Sequence, residues 1–222
     1  GETDAWLVKT DSSGIMQWNQ TYGARAEDVA YSVTQTSDGG YALAGYSDSY
    51  GAGNFDFWLV KNDSFGSVVW NQTYGGVGDD GASDAIQTND GGYALVGYTT
   101  SMGAGMNDFW LVKTDLSGNM LWNRTYGGSG DDEASWVIQT SDGGYALAGV
   151  TNSTGAGGYD FWLVKTDSSG QSQWSRTYGG AYDDVANALV QTGDGGYVLA
   201  GWTGSYGAGD VDYWLVKTDS SG

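Results

Sequence analysis

Four acidic pairs recur in this chain at one spacing: Glu27-Asp28, Asp79-Asp80, Asp131-Asp132 and Asp183-Asp184 lie 52 residues apart. Carboxylates beside backbone carbonyls suit a hard cation such as Ca²⁺. Asp28, Asp80, Asp132 and Asp184 are therefore candidate metal ligands, and Ca²⁺ is the one cofactor this reading admits. No segment follows the D-x-[DN]-x-[DN]-G order of a calcium loop. Two carboxylates can also cleave a glycosidic bond. A pair repeated in four equivalent places fits a structural task better than a single active site.

The other reactive side chains are few. His and Cys are absent from the 222 residues, which excludes disulfides, thiolate or imidazole metal sites, cysteine nucleophiles and a Ser-His-Asp triad. The lysines Lys9, Lys61, Lys113, Lys165 and Lys217 all follow W-L-V and are expected to pair with carboxylates rather than act as nucleophiles. No catalytic residue is assigned, and the chain reads as a non-enzyme. Positions that differ between otherwise matching repeats are better candidates for a specific ligand. They include Ser32, Asp84, Trp136 and Ala188 in one set and Tyr46, Tyr98, Val150 and Trp202 in another. Tyr46, Tyr98, Trp136 and Trp202 could stack on sugar rings while nearby Asp, Asn and Thr bond the hydroxyls. Five N-x-[ST] sequons, at Asn19, Asn62, Asn71, Asn123 and Asn152, are candidate glycosylation sites.

What must position these residues is a strict internal repeat. Trp6, Trp58, Trp110, Trp162 and Trp214 each sit in D-[AFY]-W-L-V-K, 52 residues apart, and Trp18, Trp70, Trp122 and Trp174 form a second series. The repeats run over 4–55, 56–107, 108–159 and 160–211, with a partial one at 212–222, all within a single domain of 1–222. Each contains four β-prone segments separated by turn sequences, and helical periodicity never appears. D-G-G at 38–40, 90–92, 142–144 and 194–196 suits tight hairpins. The D-S-S-G turn at 11–14 and its counterparts do the same further along. A four-stranded unit of this length is the signature of a β-propeller blade. With strands a to d in each unit, both short turns fall on one face. The long b–c loops (as at 151–159) and d–a loops (as at 127–132) fall on the other, where binding is expected. The two tryptophan series then read as packing between blades. The count is uneven: five c segments accompany four each of a, b and d, so one strand is surplus. Either the ring is larger than this segment, or residues 4–14 and 212–222 compete for one slot, or terminal strands are exchanged between chains.

Composition bounds the partners. With 8 Lys+Arg against 27 Asp+Glu the net charge is −19, which disfavours nucleic acid and anionic membranes. No apolar run is long enough to insert in a membrane as a helix, and the first residues do not read as a signal peptide. Gly is 39 residues and Pro none, with 11 Trp and 16 Tyr, so the chain is turn-rich and aromatic-rich rather than disordered.

The motifs W-L-V-K-T-D-S-S-G, W-N-[QR]-T-Y-G-G, D-D-x-A and Q-T-x-D-G-G-Y-[AV]-L resemble the propeller-type repeats of archaeal, methanogen-like, and some bacterial cell-surface proteins, over essentially the whole chain. The resemblance implies a secreted propeller without an assigned activity. Together these readings give an extracellular, non-catalytic structural or adhesion module at a cell surface, glycosylated if its sequons are used. Its expected partners are other surface proteins, glycans, or copies of itself through terminal strands. A lectin-like propeller and a self-assembling coat or fibre subunit are the alternatives.

Overall fold

A computed structural model describes all of residues 1–222. The chain holds seventeen strands and no helix. They are β1 (Ala5–Thr10), β2 (Met16–Tyr22), β3 (Asp28–Gln35), β4 (Tyr41–Ser47), β5 (Asp56–Asn62), β6 (Val68–Tyr74), β7 (Asp80–Gln87), β8 (Tyr93–Thr99) and β9 (Asp108–Thr114). There follow β10 (Met120–Tyr126), β11 (Asp132–Gln139), β12 (Tyr145–Thr151), β13 (Asp160–Thr166), β14 (Ser172–Tyr178), β15 (Asp184–Gln191), β16 (Tyr197–Thr203) and β17 (Asp212–Thr218).

Consecutive strands pair antiparallel. They form three four-stranded sheets, β3–β6, β7–β10 and β11–β14, flanked by the two-stranded β1–β2 and the three-stranded β15–β17. The repeating sheet therefore begins at residue 28, with strand a, half a repeat after the first D-[AFY]-W-L-V-K motif. The sheets stack like the blades of a propeller but do not close into a ring. Neither of the two end c strands is displaced: β1 keeps β2, and β17 keeps β16.

Local sequence explains each sheet. In the a–b hairpins Gly39, Gly91, Gly143 and Gly195 take φ near +84°, a conformation open to glycine, while Thr36 N–H closes on Gly40 O at 2.9 Å. Strand a carries a β-bulge in every sheet, between Ala30 and Ser32, Ala82 and Asp84, Ala134 and Trp136, and Ala186 and Ala188. Opposite it lies a glycine of strand b. A Cβ on Gly149, for example, would stand 2.0 Å from Glu133 O.

The sheets are held face to face. Phe57 meets Trp110, and Phe109 meets Trp162, edge to face at 4.5 Å between ring centres. The second tryptophan series also reaches the next sheet: Trp70 packs on Tyr93 at 5.7 Å and Trp122 on Tyr145 at 5.9 Å. Polar clasps accompany this packing. Tyr22, Tyr74 and Tyr126 each donate their hydroxyl to a c–d turn carbonyl of the next unit, Gly66, Gly118 and Gly170, at 2.6–2.8 Å. Gln87, Gln139 and Gln191 accept at Oε1 from the a–b turn of the unit before, at 2.8–2.9 Å.

One buried group breaks the pattern. Asn62 is fully buried and neither its Oδ1 nor its Nδ2 has a partner. The equivalent Thr114, Thr166 and Thr218 donate their hydroxyls to the next carbonyl at 2.8–2.9 Å. An unpaired buried amide costs about 1–3 kcal/mol. Asn62→Thr is therefore expected to raise stability by about 1 kcal/mol; urea unfolding that shows no gain, or a loss, refutes this account of Asn62.

Candidate functional site

The acidic pairs open strand a, at the mouth of each d–a loop, and the structure commits their second members to capping. Asp28, Asp80, Asp132 and Asp184 are fully buried. Their Oδ2 accepts the loop N–H of Ala24, Gly76, Gly128 and Gly180 at 2.8–2.9 Å. The same atom accepts the hydroxyl of Ser49, Ser101, Ser153 and Ser205 at 2.7–2.8 Å. Asp28 and Asp184 also take the hydroxyls of Ser47 and Thr203 on Oδ1. In Asp80 and Asp132, both candidate Ca²⁺ ligands, Oδ1 is buried without a protein partner. The first members, Glu27, Asp79, Asp131 and Asp183, lie nearer the surface.

A second carboxylate set, not singled out by sequence, caps the glycine-rich b–c loops. Asp56, Asp108 and Asp160 accept at Oδ2 from Ala52, Ala104 and Ala156 N–H at 2.6–2.9 Å. Burial pushes these carboxyls up. The loop N–H bonds oppose that rise, and the neighbouring Asp80, Asp132 and Asp184 add to it. The visible signal was G-A-G placed four residues before the aspartate.

The lysines do pair with carboxylates, those of the a–b turns. Lys61, Lys113, Lys165 and Lys217 meet Asp38, Asp90, Asp142 and Asp194 at 2.8–3.0 Å. The first three lysines are buried, and the aspartates face solvent. Lys9 has no such turn beside it and bonds Thr10 O and Gln17 Oε1. Basic side chains thus gather on the turn face. On the opposite, loop face, Arg25 is the only basic side chain, so that face is strongly acidic.

The four aromatics proposed for sugar stacking do not form equivalent pockets. Tyr46 is packed against Tyr31 and Phe55, at 5.8 and 4.6 Å, and donates its hydroxyl to Glu27 at 2.7 Å. The ring of Tyr98 lies over Gly81, 2.7 Å from where a Cβ would be. Trp136 stands on strand a, 39% exposed, and Trp202 lines a groove between the last two sheets. Asp84, equivalent to Trp136, is a buried bridge across three sheets. It accepts from Ser32 Oγ at 2.7 Å, Ala85 N–H at 2.9 Å and Val137 N–H at 3.1 Å.

Among the sequons, Asn19, Asn71 and Asn152 are exposed and Asn123 is half-buried. Asn19 and Asn123 accept at Oδ1 from the indoles of Trp6 and Trp110, at 3.2 Å. Asn62 is fully buried in strand β5.

No family model matches the chain. Among curated proteins it is similar to the regulatory protein FlaEY of Caulobacter vibrioides, 24% identical over 222 residues, covering 90% of this chain and 21% of that protein. The chain thus spans about a fifth of that relative's length. A solved structure of a protein of unknown function from Bacteroides caccae superposes with a TM-score of 0.41 at 13% identity, over 98% of this chain and 90% of that one.

The turn aspartates carry a pH dependence. Burial would raise Asp90 and Asp142, but the hydroxyls of Thr88 and Thr140, the ammonium groups of Lys113 and Lys165 and turn N–H groups outweigh it and hold both at about 2. A carboxyl lowered on folding stabilises above its unfolded value, near 4, and that contribution is lost as pH falls through the folded value. The urea midpoint is expected to drop between about pH 4 and pH 2. In the Asp90→Asn, Asp142→Asn double variant the midpoint should be lower at pH 7 and the drop smaller. An unchanged acid limb in that variant refutes the assignment.

Proposed function

We propose that this chain is a non-catalytic structural and interaction module of an extracellular cell surface, its stacked sheets being blades of a β-propeller. The observation that carries the reading is how the repeated reactive groups are spent. The carboxylates at the strand starts cap loops, the turn aspartates hold buried lysines, and Asp84 ties three sheets together. The serine hydroxyls that meet carboxylates do so at the same capping positions in each unit, or, as Ser32 on Asp84, inside the inter-sheet bridge. The resemblance to cell-surface repeats supports the location, and the acidic loop face offers a broad docking surface for other surface proteins or glycans. The expected result on a panel of polysaccharide and ester substrates is no turnover. Turnover abolished by Asp131→Asn with Asp132→Asn would replace this reading with a hydrolase.

A second reading, self-assembly, is favoured by the two end faces. Trp6 is 64% exposed where Trp110 is fully buried, and Tyr213 and Leu215 are exposed where Phe109 and Leu111 are fully buried. In the interior, the Phe face of one unit covers the Trp face of the next, so the Tyr213 face complements the Trp6 face of a second copy. Sedimentation at rising concentration should show association of the 222-residue chain. Trp6→Arg and Tyr213→Arg should each remain monomeric alone and form dimers when mixed. Monomeric wild type, or a mixture that stays monomeric, excludes the head-to-tail contact.

A further inference from the structure

The loop-face groove between the sheets β11–β14 and β15–β17 is lined, at one strand-b position, by a smaller side chain than the preceding sheets carry there. At the position next to the end of strand b, the first two complete sheets carry Tyr46 and Tyr98, whereas the third carries Val150. Tyr46 packs into an aromatic cluster and Tyr98 covers Gly81, whereas Val150 lines a cavity of about 400 Å³. Val150 and Val185 lie at its apolar base, Tyr159 and Trp202 supply aromatic walls, and Glu133 and Asp183 contribute carboxylates.

The groups around it are held in place. Tyr159 N–H donates to Asp183 Oδ1 at 2.9 Å, and its hydroxyl reaches Asp131 Oδ2 at 3.3 Å. Asn107 Nδ2 donates to Glu133 Oε1 at 2.7 Å, which leaves the other oxygen of that carboxylate without a protein partner. No basic side chain borders the groove. A cavity with aromatic and aliphatic walls, negative charge at its edge and no cation of its own selects a positively charged group on an apolar stem: the ring faces and carboxylates both attract it, and the valines cover the stem.

We infer that the groove formed by Val150, Tyr159, Val185 and Trp202 binds an organic cation, an alkylammonium or guanidinium group such as the end of a lysine or arginine side chain. The assignment rests on the interaction-module reading and gives it a ligand class. Turnover of a probe would sink that reading, whereas failure of the binding pattern below would sink only this one.

The test is calorimetric titration of the 222-residue chain with cadaverine, with the blocked peptide acetyl-Gly-Lys-Gly-amide, with its norleucine analogue and with a neutral methyl hexoside. Saturable binding of the two cations is expected, with loss of at least tenfold in affinity for the norleucine peptide. Tighter binding of the peptide than of cadaverine would identify a protein side chain as the source. Val150→Tyr restores the residue of the first two sheets, keeps every charge and is expected to weaken the cations at least tenfold with an unchanged thermal midpoint. Trp202→Ala should do the same by removing a wall. Equal cation binding in Val150→Tyr means surface charge alone and overturns the assignment. So does a hexoside that binds as well as the cations, or no saturable binding at all.

Discussion

The structure depends on how closely strand b approaches the bulge of strand a. In every sheet with both strands the bulge pushes a carbonyl toward a glycine: Val29 O, Gly81 O, Glu133 O and Val185 O would stand 1.9–2.0 Å from a Cβ on Gly45, Gly97, Gly149 and Gly201. No side chain fits there. Across strand b the same glycines pair with Trp58, Trp110, Trp162 and Trp214 of strand c. The tryptophan of one unit is then the surface on which the phenylalanine of the unit before rests. The spacing within a sheet and the stacking between sheets thus follow from one glycine and one tryptophan per repeat. This ties a local bulge to the long-range order of the array.

Much of this was legible in the sequence because it was repeated. The D-G-G and D-S-S-G turns, the four strands per repeat and the packing role of both tryptophan series could be read from residue type and spacing. The order a to d within each unit was legible from the turn sequences, and hydrogen bonding groups the strands in that order, each four-stranded sheet opening on strand a. The strand count did not say whether the ring closes, because closure depends on the angle between sheets, which small differences at each junction accumulate. The aspartates were recognised as a set suited to a structural task, but their individual partners were not. An Asp-rich loop mouth does not reveal its partners by residue type: Asp132 accepts at Oδ2 from the N–H of Gly128 and the hydroxyl of Ser153, while its Oδ1 is buried without a protein partner. The burial of Asn62 was not legible either: its sequon is a three-residue pattern, while its burial is set by neighbouring strands.

The repeat also fixes where charge collects. Lys61, Lys113, Lys165 and Lys217 each lie on a c strand beside an a–b turn, so the short-turn face neutralises part of its own charge. The loop face has no such device. Its buried aspartates accept N–H and O–H bonds at Oδ2, which do not cancel their net charge, and Oδ1 of Asp80, Asp132 and Asp160 has no partner. A molecule of net charge −19 therefore directs most of its uncompensated field through the face that also carries its variable loops.

On that face, repetition and variation do separate work. Positions identical in each unit hold the sheets together and cannot distinguish one junction from another. The residue next to the end of strand b differs between units: Tyr46 packs on the aromatic residues of its own unit, whereas the smaller Val150 lines an open groove. One change at such a position alters the volume of a single junction while the packing below is retained. An array of near-identical sheets can in this way acquire one distinct binding groove without giving up the glycine and tryptophan contacts on which its stacking rests.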